Sequence, residues 1–562
     1  MQDVPLPQAD AQAPGQVQQE LGPEQQRHMV QALRHMLGAR DGAIVAQVET
    51  HISFVLVCAD LAYKIKKVLR TPFLDQSSLA LRQRACQEEL RLNRRLAPDL
   101  YLGVVPITGT PQAPALDGVG APLDVAVQMR AFAQEGLWDL LAARRRLGVA
   151  QVDELVHLLG RFHALAAVAD PGGRLGSPAQ VRSPLLQSLD ELESLIEPAD
   201  GQDPLRALRA WEAAAFDRLQ TLMARRLAQG RVRECHGDLH LGNVTVIDGH
   251  SMVFDGIEFN DDFRWIDVLS EVAFMAMDLH AHGLPHLAHR FVNAYLEFGC
   301  DYDGVPVLDY YLVHRALVRA KVHGLRAAQF APAQAAQAAA QRVAASLYLQ
   351  LALRFSRRER SSAVLMLTHG FSGSGKSTLT QGLLETIGAI RIRADVERKR
   401  LAGLKPIDRS DAQHAAVLYG PGMTAATYAR LCQQAAPALD CGYPVILDAT
   451  FMQRAQRDAA RRQAAGQGAA CVILDFDAVA EELRRRLRDR VARGADASDA
   501  DEAVLARQMQ TAQPLAADEA PLVFRCMAAA SSDEPAEADW APLLQWLASI
   551  GCRAPASSFP LT

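Results

Sequence analysis

Residues 370–377 read Gly-Phe-Ser-Gly-Ser-Gly-Lys-Ser. Glycines at this spacing let backbone N–H groups turn inward and cradle phosphate oxygens, and a helix starting at the end of the loop adds the partial positive charge of its N-terminus. The pattern has meaning only between an apolar strand and a helix. Val364–Thr368 is such a strand, and a helical pattern follows Lys376. Gly370, Phe371, Ser372, Gly373, Ser374, Gly375, Lys376, Ser377 and Thr378 are therefore expected to hold the phosphates of ATP. Lys376 should reach the β- and γ-phosphates, and the Ser377 hydroxyl should bind Mg²⁺.

Three further features belong with this loop. Val445-Ile-Leu-Asp448 is an apolar strand ending in a carboxylate, which suits a direct or water-mediated partner of Mg²⁺. Asp395, in Arg391-Ile-Arg-Ala-Asp-Val-Glu-Arg398, follows what should be the second strand. A carboxylate there can take the proton of an acceptor hydroxyl, although Asp is equally suited to cap a helix. The run Leu483–Gly494 is rich in arginine, with Arg486 and Arg490 four apart on one helix face. Such a helix is either a solvated face or a lid that brings arginines to a transferring phosphoryl group.

A second constellation lies upstream, at His236-Gly-Asp238-Leu-His240-Leu-Gly-Asn243, followed by Val253-Phe-Asp255-Gly-Ile-Glu258. Asp238 can orient and deprotonate a hydroxyl, Asn243 can bind Mg²⁺, and Asp255 on the next strand can hold the metal from the other side. A loop with a purely structural task has little reason to collect these groups.

About 363–515 resembles the small P-loop kinase family that includes polynucleotide 5′-kinases, gluconate-type kinases and zeta-toxin-like enzymes. That resemblance implies a three-layer α/β/α fold and phosphoryl transfer to a hydroxyl. The His236–Glu258 stretch resembles the aminoglycoside phosphotransferase and choline-kinase family, which implies a protein-kinase-like bilobal fold. It implies Asp238 as catalytic base, and Asn243 and Asp255 as metal ligands. It also makes Lys64, in Leu61-Ala-Tyr-Lys-Ile-Lys66, the candidate for the α/β-phosphates, with Lys66 as rival on the same face of the strand. Glu89 would pair with that lysine, Glu88 being the neighbouring alternative, and Met129 would end the strand that lies against adenine. The glycine-rich loop expected over the phosphates is replaced by Glu49-Thr-His-Ile-Ser53, whose hydroxyls are the alternative phosphate ligands. Asp267 resembles the family's buried structural aspartate. His163 lies on an apolar helical face and reads as a packed core histidine. The order of the two parts resembles bacterial bifunctional aminoglycoside phosphotransferase/P-loop ATP-binding fusion proteins, across nearly the whole chain past residue 40.

The elements that must position these groups follow from the pattern. Residues 1–22 are biased to Gln, Pro and Ala and read as disordered. An amphipathic helix over about 24–38 leads into strands at Ala43–Glu49, Ser53–Ala59 and Leu61–Lys66. A helix over about Ser77–Leu96, a strand near Asp124–Met129 and mostly helical sequence come next. A strand–loop–strand unit spans roughly 231–255, and one helix over 326–350 closes the first domain, 23–357. The run Ser356–Ser362 marks the boundary to a P-loop domain, 358–520, in which strands at Val364–Thr368, Val445–Asp448 and Cys471–Phe476 alternate with helices, the mark of a parallel sheet. An acidic tail, 521–562, holds one helix near Trp540–Ile550.

The 562 residues are 49% hydrophobic and 22% charged, enough for more than one core. A net charge of -5 does not favour a nucleic-acid partner; an RNA or DNA end kinase would need a basic groove near Asp395, of which the arginine run supplies a part. Nine scattered cysteines without a CxxC pair, no secretory leader and no apolar run long enough for a bilayer imply a soluble cytoplasmic protein without a membrane partner. The expected partner is a small-molecule hydroxyl acceptor. Asp190, Glu191, Glu193 and Glu197 either bind a polycationic acceptor or form a solvated acidic face.

Overall fold

The structure, a computed structural model, describes residues 20–42, 44–71, 74–196, 203–358, 363–405, 408, 418–493, 498–526 and 539–552, with the side chains of 491–493 left aside. The N-terminal stretch to residue 19, Glu197, residues 359–362 of the expected boundary, Gly494 and much of the acidic tail lie outside the described residues. The chain divides into two compact units, Met1–Phe132 with Ile257–Asn260, and Ala133–Gly256 with Asp261–Thr562.

The first unit opens with the helix Pro23–Asp41. Its strands are β1 (Ala46–Glu49), β2 (Ser53–Val57), β3 (Leu61–Lys66), β4 (Arg70–Thr71), β5 (Leu74–Asp75), β6 (Tyr101–Thr110), β7 (Ala113–Leu116) and β8 (Asp124–Arg130). Six of them form an antiparallel sheet in the order β1-β2-β3-β8-β6-β7, and β4 and β5 make a small separate ladder. Met29, Val30, Leu33 and Leu37 recur at helical spacing and bury one face of the first helix, in a core with Phe54, Leu56, Ile65, Ile107 and Ala126. The helix Leu79–Asn93 is capped by Ser78, whose Oγ accepts from the Leu81 amide at 3.3 Å. The β6–β7 hairpin is absent from the sequence expectation. Gly103, Pro106 and Gly109 break its strand pattern, but β6 recovers its pairing through a register shift between Tyr101 and Gly103.

The second unit holds β9 (Val232–Glu234), β10 (Val244–Ile247), β11 (His250–Val253) and β12 (Trp265–Asp267), paired as β9–β12 and β10–β11. Around them pack long helices, among them Val268–Ala281, Pro285–Gly299 and Val305–Gln329. The single closing helix expected over 326–350 is corrected here. The chain turns extended at Phe330, makes a short 3₁₀ turn at Pro332–Gln334 and restarts as Ala335–Phe355. Pro332 has no amide hydrogen to continue a helix, and this outweighs the helical propensity of its alanine neighbours.

Then come β13 (Val364–His369), β14 (Ile390–Arg393), β15 (Val445–Asp448), β16 (Ala470–Phe476) and β17 (Val523–Cys526). They form one parallel sheet in the order β14-β15-β13-β16-β17. The first strand in sequence sits at the centre, so the loop after β13 emerges where open parallel sheets bind ligands, at the C-terminal edge. Val364, Met366, Ile446, Val472 and Leu474 meet Leu379, Leu383 and Ile387 from the helix after the loop, and Leu543 and Leu547 from the last helix. Central strands buried on both faces read as unbroken apolar runs, which made β13 and β15 plain in the sequence. The four-residue β17 at the sheet edge lacked that signal.

Candidate active sites

Residues 370–375 link β13 to the helix Lys376–Ile387. Gly370 has φ +144°, and a Cβ there would lie 2.5 Å from the Phe476 carbonyl oxygen. Only glycine fits that conformation and that approach. Gly375, at φ +89°, precedes the helix. The Lys376 Nζ donates to the carbonyls of Gly370 at 2.9 Å and Phe371 at 2.7 Å, and to Ser374 Oγ at 3.3 Å. Burial pulls its pKa down to about 8, against the opposing pull of Asp448 and Asp395. Phe371 packs on Leu483, Leu487 and Leu505. Ser372 exchanges two 3.0 Å hydrogen bonds with the Gln508 side chain.

Asp448 ends β15 and is 6% exposed, and its Oδ2 has no hydrogen-bond partner among the described residues. A buried carboxylate oxygen left bare is costly unless something polar meets it, so the donor set of Asp448 and the Ser377 hydroxyl fits a hard cation such as Mg²⁺. Asp395 lies in the first turn of the helix Ala394–Leu401, whose cap position is Arg393. Its Oδ1 accepts from Arg398 Nη1 at 2.8 Å. Burial pushes the Asp395 carboxyl up, but Arg398, a hydrogen bond from Ser498, and Arg490 and Arg393 outweigh it and hold it below the usual range. The Arg398 guanidinium sits 4.7 Å from the Tyr419 ring centre.

The arginine run forms the helix Ala480–Arg493. Arg486 donates to Glu482 at 2.6 Å, and its Nη1 lies 3.5 Å from where a Cβ on Gly375 would sit. Arg490 donates to the Ala500 carbonyl at 2.7 Å. One cavity of about 650 Å³ brings together Lys376, Ser377, Asp395, Asp448, Arg486 and Arg490, with Ser372, Gly373, Gly375 and Thr378 also on its wall. Gly370, Phe371 and Ser374 are not on that wall and act on it through Lys376. Two groups escaped sequence reasoning. Tyr428 OH accepts from the Phe451 amide at 3.1 Å and pairs with Thr450 Oγ1 at 3.1 Å, holding Phe451 at φ +47°. Arg391 Nη1 donates to the Ser377 carbonyl at 2.7 Å.

The upstream constellation in the second unit is built around Gly237, at φ +90° with the Phe263 carbonyl 2.7 Å from a would-be Cβ. Its amide donates to Glu271 Oε1 at 2.7 Å, and its carbonyl accepts from Arg315 at 3.2 Å. Asn243 Nδ2 donates to Asp238 Oδ2 at 3.1 Å and to the Asp238 carbonyl at 2.9 Å. The Phe254 amide donates to the Asn243 carbonyl at 3.0 Å, and His236 Nε2 meets the Phe254 carbonyl at 2.8 Å. Asp255, exposed and left-handed at φ +62°, therefore follows a residue tied to the loop from both sides. Burial raises the Asp238 pKa, but His240 at 3.5 Å, then Arg319 and His236, outweigh it and keep the carboxyl ionised well below its ordinary range. His163 is a core residue, bonded to Tyr295 OH and to Glu271 at 2.7 Å each. Asp267 and Asp301 both grip the buried Arg226. Asp190 and Glu193 pair with Arg209, and Glu191 with Gln187 and Lys321, on an exposed face.

In the first unit, Lys64 Nζ lies 2.8 Å from Glu89 Oε1, and Lys66 lies 2.5 Å from Glu89 Oε2. Lys66 also meets Glu258, a residue to which sequence reasoning gave no role. Two lysines and two carboxylates make a buried neutral set, the condition under which buried charges persist. Burial lowers the Lys66 pKa, yet Glu258 and Glu89 hold it above its usual range. The Lys66 side chain is fully buried, whereas that of Lys64 keeps 9% exposure. Glu88 turns to Arg91 instead. Met129 lies near the end of β8, opposite Ala62 and Tyr101. In the β1–β2 turn the Thr50 hydroxyl accepts from the amides of Ile52 and Ser53, and Ser53 Oγ is buried without a hydrogen-bond partner among the described residues.

A glycine loop on a central parallel strand, with its lysine, hydroxyl and carboxylate partners, defines a P-loop kinase-type domain, and it follows a kinase-like domain. Family models agree with this: "Phosphotransferase enzyme family" matches residues 66–311 and "AAA domain" matches 365–515. An uncharacterized protein of Mycobacterium tuberculosis (strain ATCC 25618 / H37Rv) is 30% identical over 458 residues, 80% of this chain and 87% of that protein. The chain belongs to the same family as that mycobacterial protein, with a phosphotransferase-family domain joined to a P-loop kinase domain. Among solved structures, a choline/ethanolamine kinase family protein from Mesorhizobium loti is 12% identical with a TM-score of 0.35, covering 59% of this chain and 100% of that one. A gluconokinase from Sinorhizobium meliloti 1021 is 20% identical with a TM-score of 0.21, covering 31% and 86%.

Proposed function

We propose that the chain is an ATP·Mg²⁺-dependent phosphotransferase with two nucleotide sites, each passing the γ-phosphoryl group to a small-molecule hydroxyl. The observation that carries this reading is the cavity where Lys376, Ser377, the bare oxygen of Asp448 and Asp395 meet. When bound, Mg²⁺ would neutralise charge on the β- and γ-phosphates. The residues do the rest. Lys376 holds those phosphates, Asp448 and the Ser377 hydroxyl hold the metal, and Asp395 orients the acceptor and takes its proton as the bond to phosphorus forms. Arg486 and Arg490 meet the charge of the transferring group.

Seven cationic side chains face three carboxylates across this cavity. ATP with one Mg²⁺ carries about two negative charges, so cationic charge is left over, and an acceptor bearing a carboxylate or phosphate fits it better than a polycation. In the second unit Asp238 is the base, with Asn243 and Asp255 for the metal, and the family resemblance gives the Lys64–Glu89 pair of the first unit the α/β-phosphates. Arg319 near Asp238 and the pairing of Asp190 and Glu193 with Arg209 likewise speak against a polycationic acceptor there. The test is transfer of label from γ-labelled ATP to metabolites of a cell extract. Labelled products that vanish separately with Lys376→Ala and with Asp238→Asn are expected. An extract in which the intact chain labels nothing speaks against the reading.

A further inference from the structure

The strand β14 is the outer strand of its sheet, with β15 on one side only. The Ile390 amide points to that neighbour, donating to the Pro444 carbonyl at 2.8 Å. The next amide, of Arg391, points the other way, where a sheet would offer another strand. What meets it is Asn293, 4% exposed, whose Oδ1 accepts at 2.6 Å. Asn293 belongs to the helix Pro285–Gly299, within the phosphotransferase-family region and far from the P-loop in sequence.

The strand end held this way leads to the P-loop site by two routes. The Arg391 guanidinium reaches the first turns of the helix that follows the loop and donates to the Ser377 carbonyl at 2.7 Å, Thr380 Oγ1 at 3.2 Å and Gln381 Oε1 at 2.6 Å. Two residues beyond the strand lies Asp395. The same helix makes parallel contacts. Glu297 meets Arg393 at 3.4 Å, and its carbonyl accepts from Arg400. Arg290 bridges Asp153 and Glu385, and His289 Nδ1 meets the Glu385 carbonyl at 2.7 Å, near the end of the helix that the P-loop starts. Tyr295, through His163 and Glu271, ties the helix to Gly237 in the loop of Asp238.

We propose that Asn293 is a positioning residue of the P-loop site, supplied by the kinase-like domain: by accepting from the Arg391 amide it fixes the strand that sets Ser377 against the metal and delivers Asp395 to the cavity. The P-loop domain then lacks a finished metal site without the helix Pro285–Gly299. This rests on the reading of Ser377 and Asp448 as Mg²⁺ ligands. Removing a partner that orients a metal ligand typically costs about 10–100-fold in metal affinity.

The test uses the full chain carrying Asn293→Leu, Asn293→Ala or Asn293→Asp, the last keeping an acceptor oxygen in place. Two quantities are read: amide hydrogen exchange over 390–395, and the ratio of ATP affinities with and without Mg²⁺. Leu and Ala should speed exchange there and shrink the Mg²⁺ ratio by about tenfold, with Mg²⁺-free ATP binding nearly unchanged and Asp restoring both. A folded Leu or Ala variant with the wild-type Mg²⁺ ratio overturns the proposal, even if exchange rises, because Asn293 then only supports the edge. A wild-type chain whose ATP affinity ignores Mg²⁺ overturns the functional reading itself, and this inference with it.

Discussion

Asp395 and Lys376 are where single residues decide between accounts. Asp395 is one residue past the first position of its helix and spends its carboxylate on Arg398, so its oxygen is not needed to start the helix. Asn in its place keeps the shape and loses the base. We expect Asp395→Asn to lower kcat by about 100-fold or more with ATP affinity little changed, measured on an acceptor found by labelling. Near-normal turnover would remove the base from the account. Lys376 has a pKa near 8 because burial outweighs its two carboxylate neighbours. Bound phosphates stabilise the ammonium, so nucleotide binding raises that pKa. The sign follows: ATP affinity should fall as pH rises through about 8, and binding above that pH should take up a proton. Calorimetry in buffers of different ionisation heat reads the proton directly. An ATP affinity unchanged as pH rises through that pKa would contradict the assignment. At this scale the sequence was informative wherever the groups were contiguous, as in 370–378 and 236–243. It was silent on Arg391, Glu258 and Asn293, because nothing local marks a side chain whose partner is distant in the chain.

The P-loop and the helix Ala480–Arg493 act as elements. Gly370 cannot carry a Cβ without meeting the Phe476 carbonyl, and strain of this kind costs on the order of 1–3 kcal/mol before any repacking. Gly370→Ala should therefore weaken ATP binding more than it lowers the melting temperature, because the loop, not the core, absorbs the clash. Equal ATP affinity in the variant would show that the loop tolerates it. The helix rests on Gly373, where a Cβ would lie 3.0 Å from the Leu483 carbonyl, and Leu483 and Leu487 are buried there. That packing holds Arg486 close to Gly375. Arg486→Ala should lower kcat about 100-fold while leaving ATP affinity within a few-fold. A loss confined to ATP affinity would make the arginine a nucleotide clamp instead. The central elements were legible because buried parallel strands are apolar throughout and amphipathic helices repeat at 3.6 residues. The β6–β7 hairpin and β17 were not, since glycine, proline or shortness removed the pattern. The break at Pro332 was marked in the sequence, although the alanine-rich composition around it reads as continuous helix.

At the scale of the whole chain, the P-loop domain and the region 133–256 that carries Asp238 fall together in one compact unit. An excised P-loop domain, residues 363–552, would bare the amide edge of β14 and lose the partners of Arg391, Arg393, Glu385 and Tyr443. We expect it to melt below the intact chain and to associate through that edge, seen by calorimetry and sedimentation. A monomeric fragment with unchanged stability would show the two domains to be independent. The central claim, two ATP·Mg²⁺ sites in one chain, is tested most directly by the stoichiometry of ATP·Mg²⁺ binding to the intact protein in a calorimeter. The account predicts two nucleotides per chain, falling to one with Lys376→Ala and to one with Lys64→Met. A single nucleotide per chain that Lys376→Ala abolishes would contradict it.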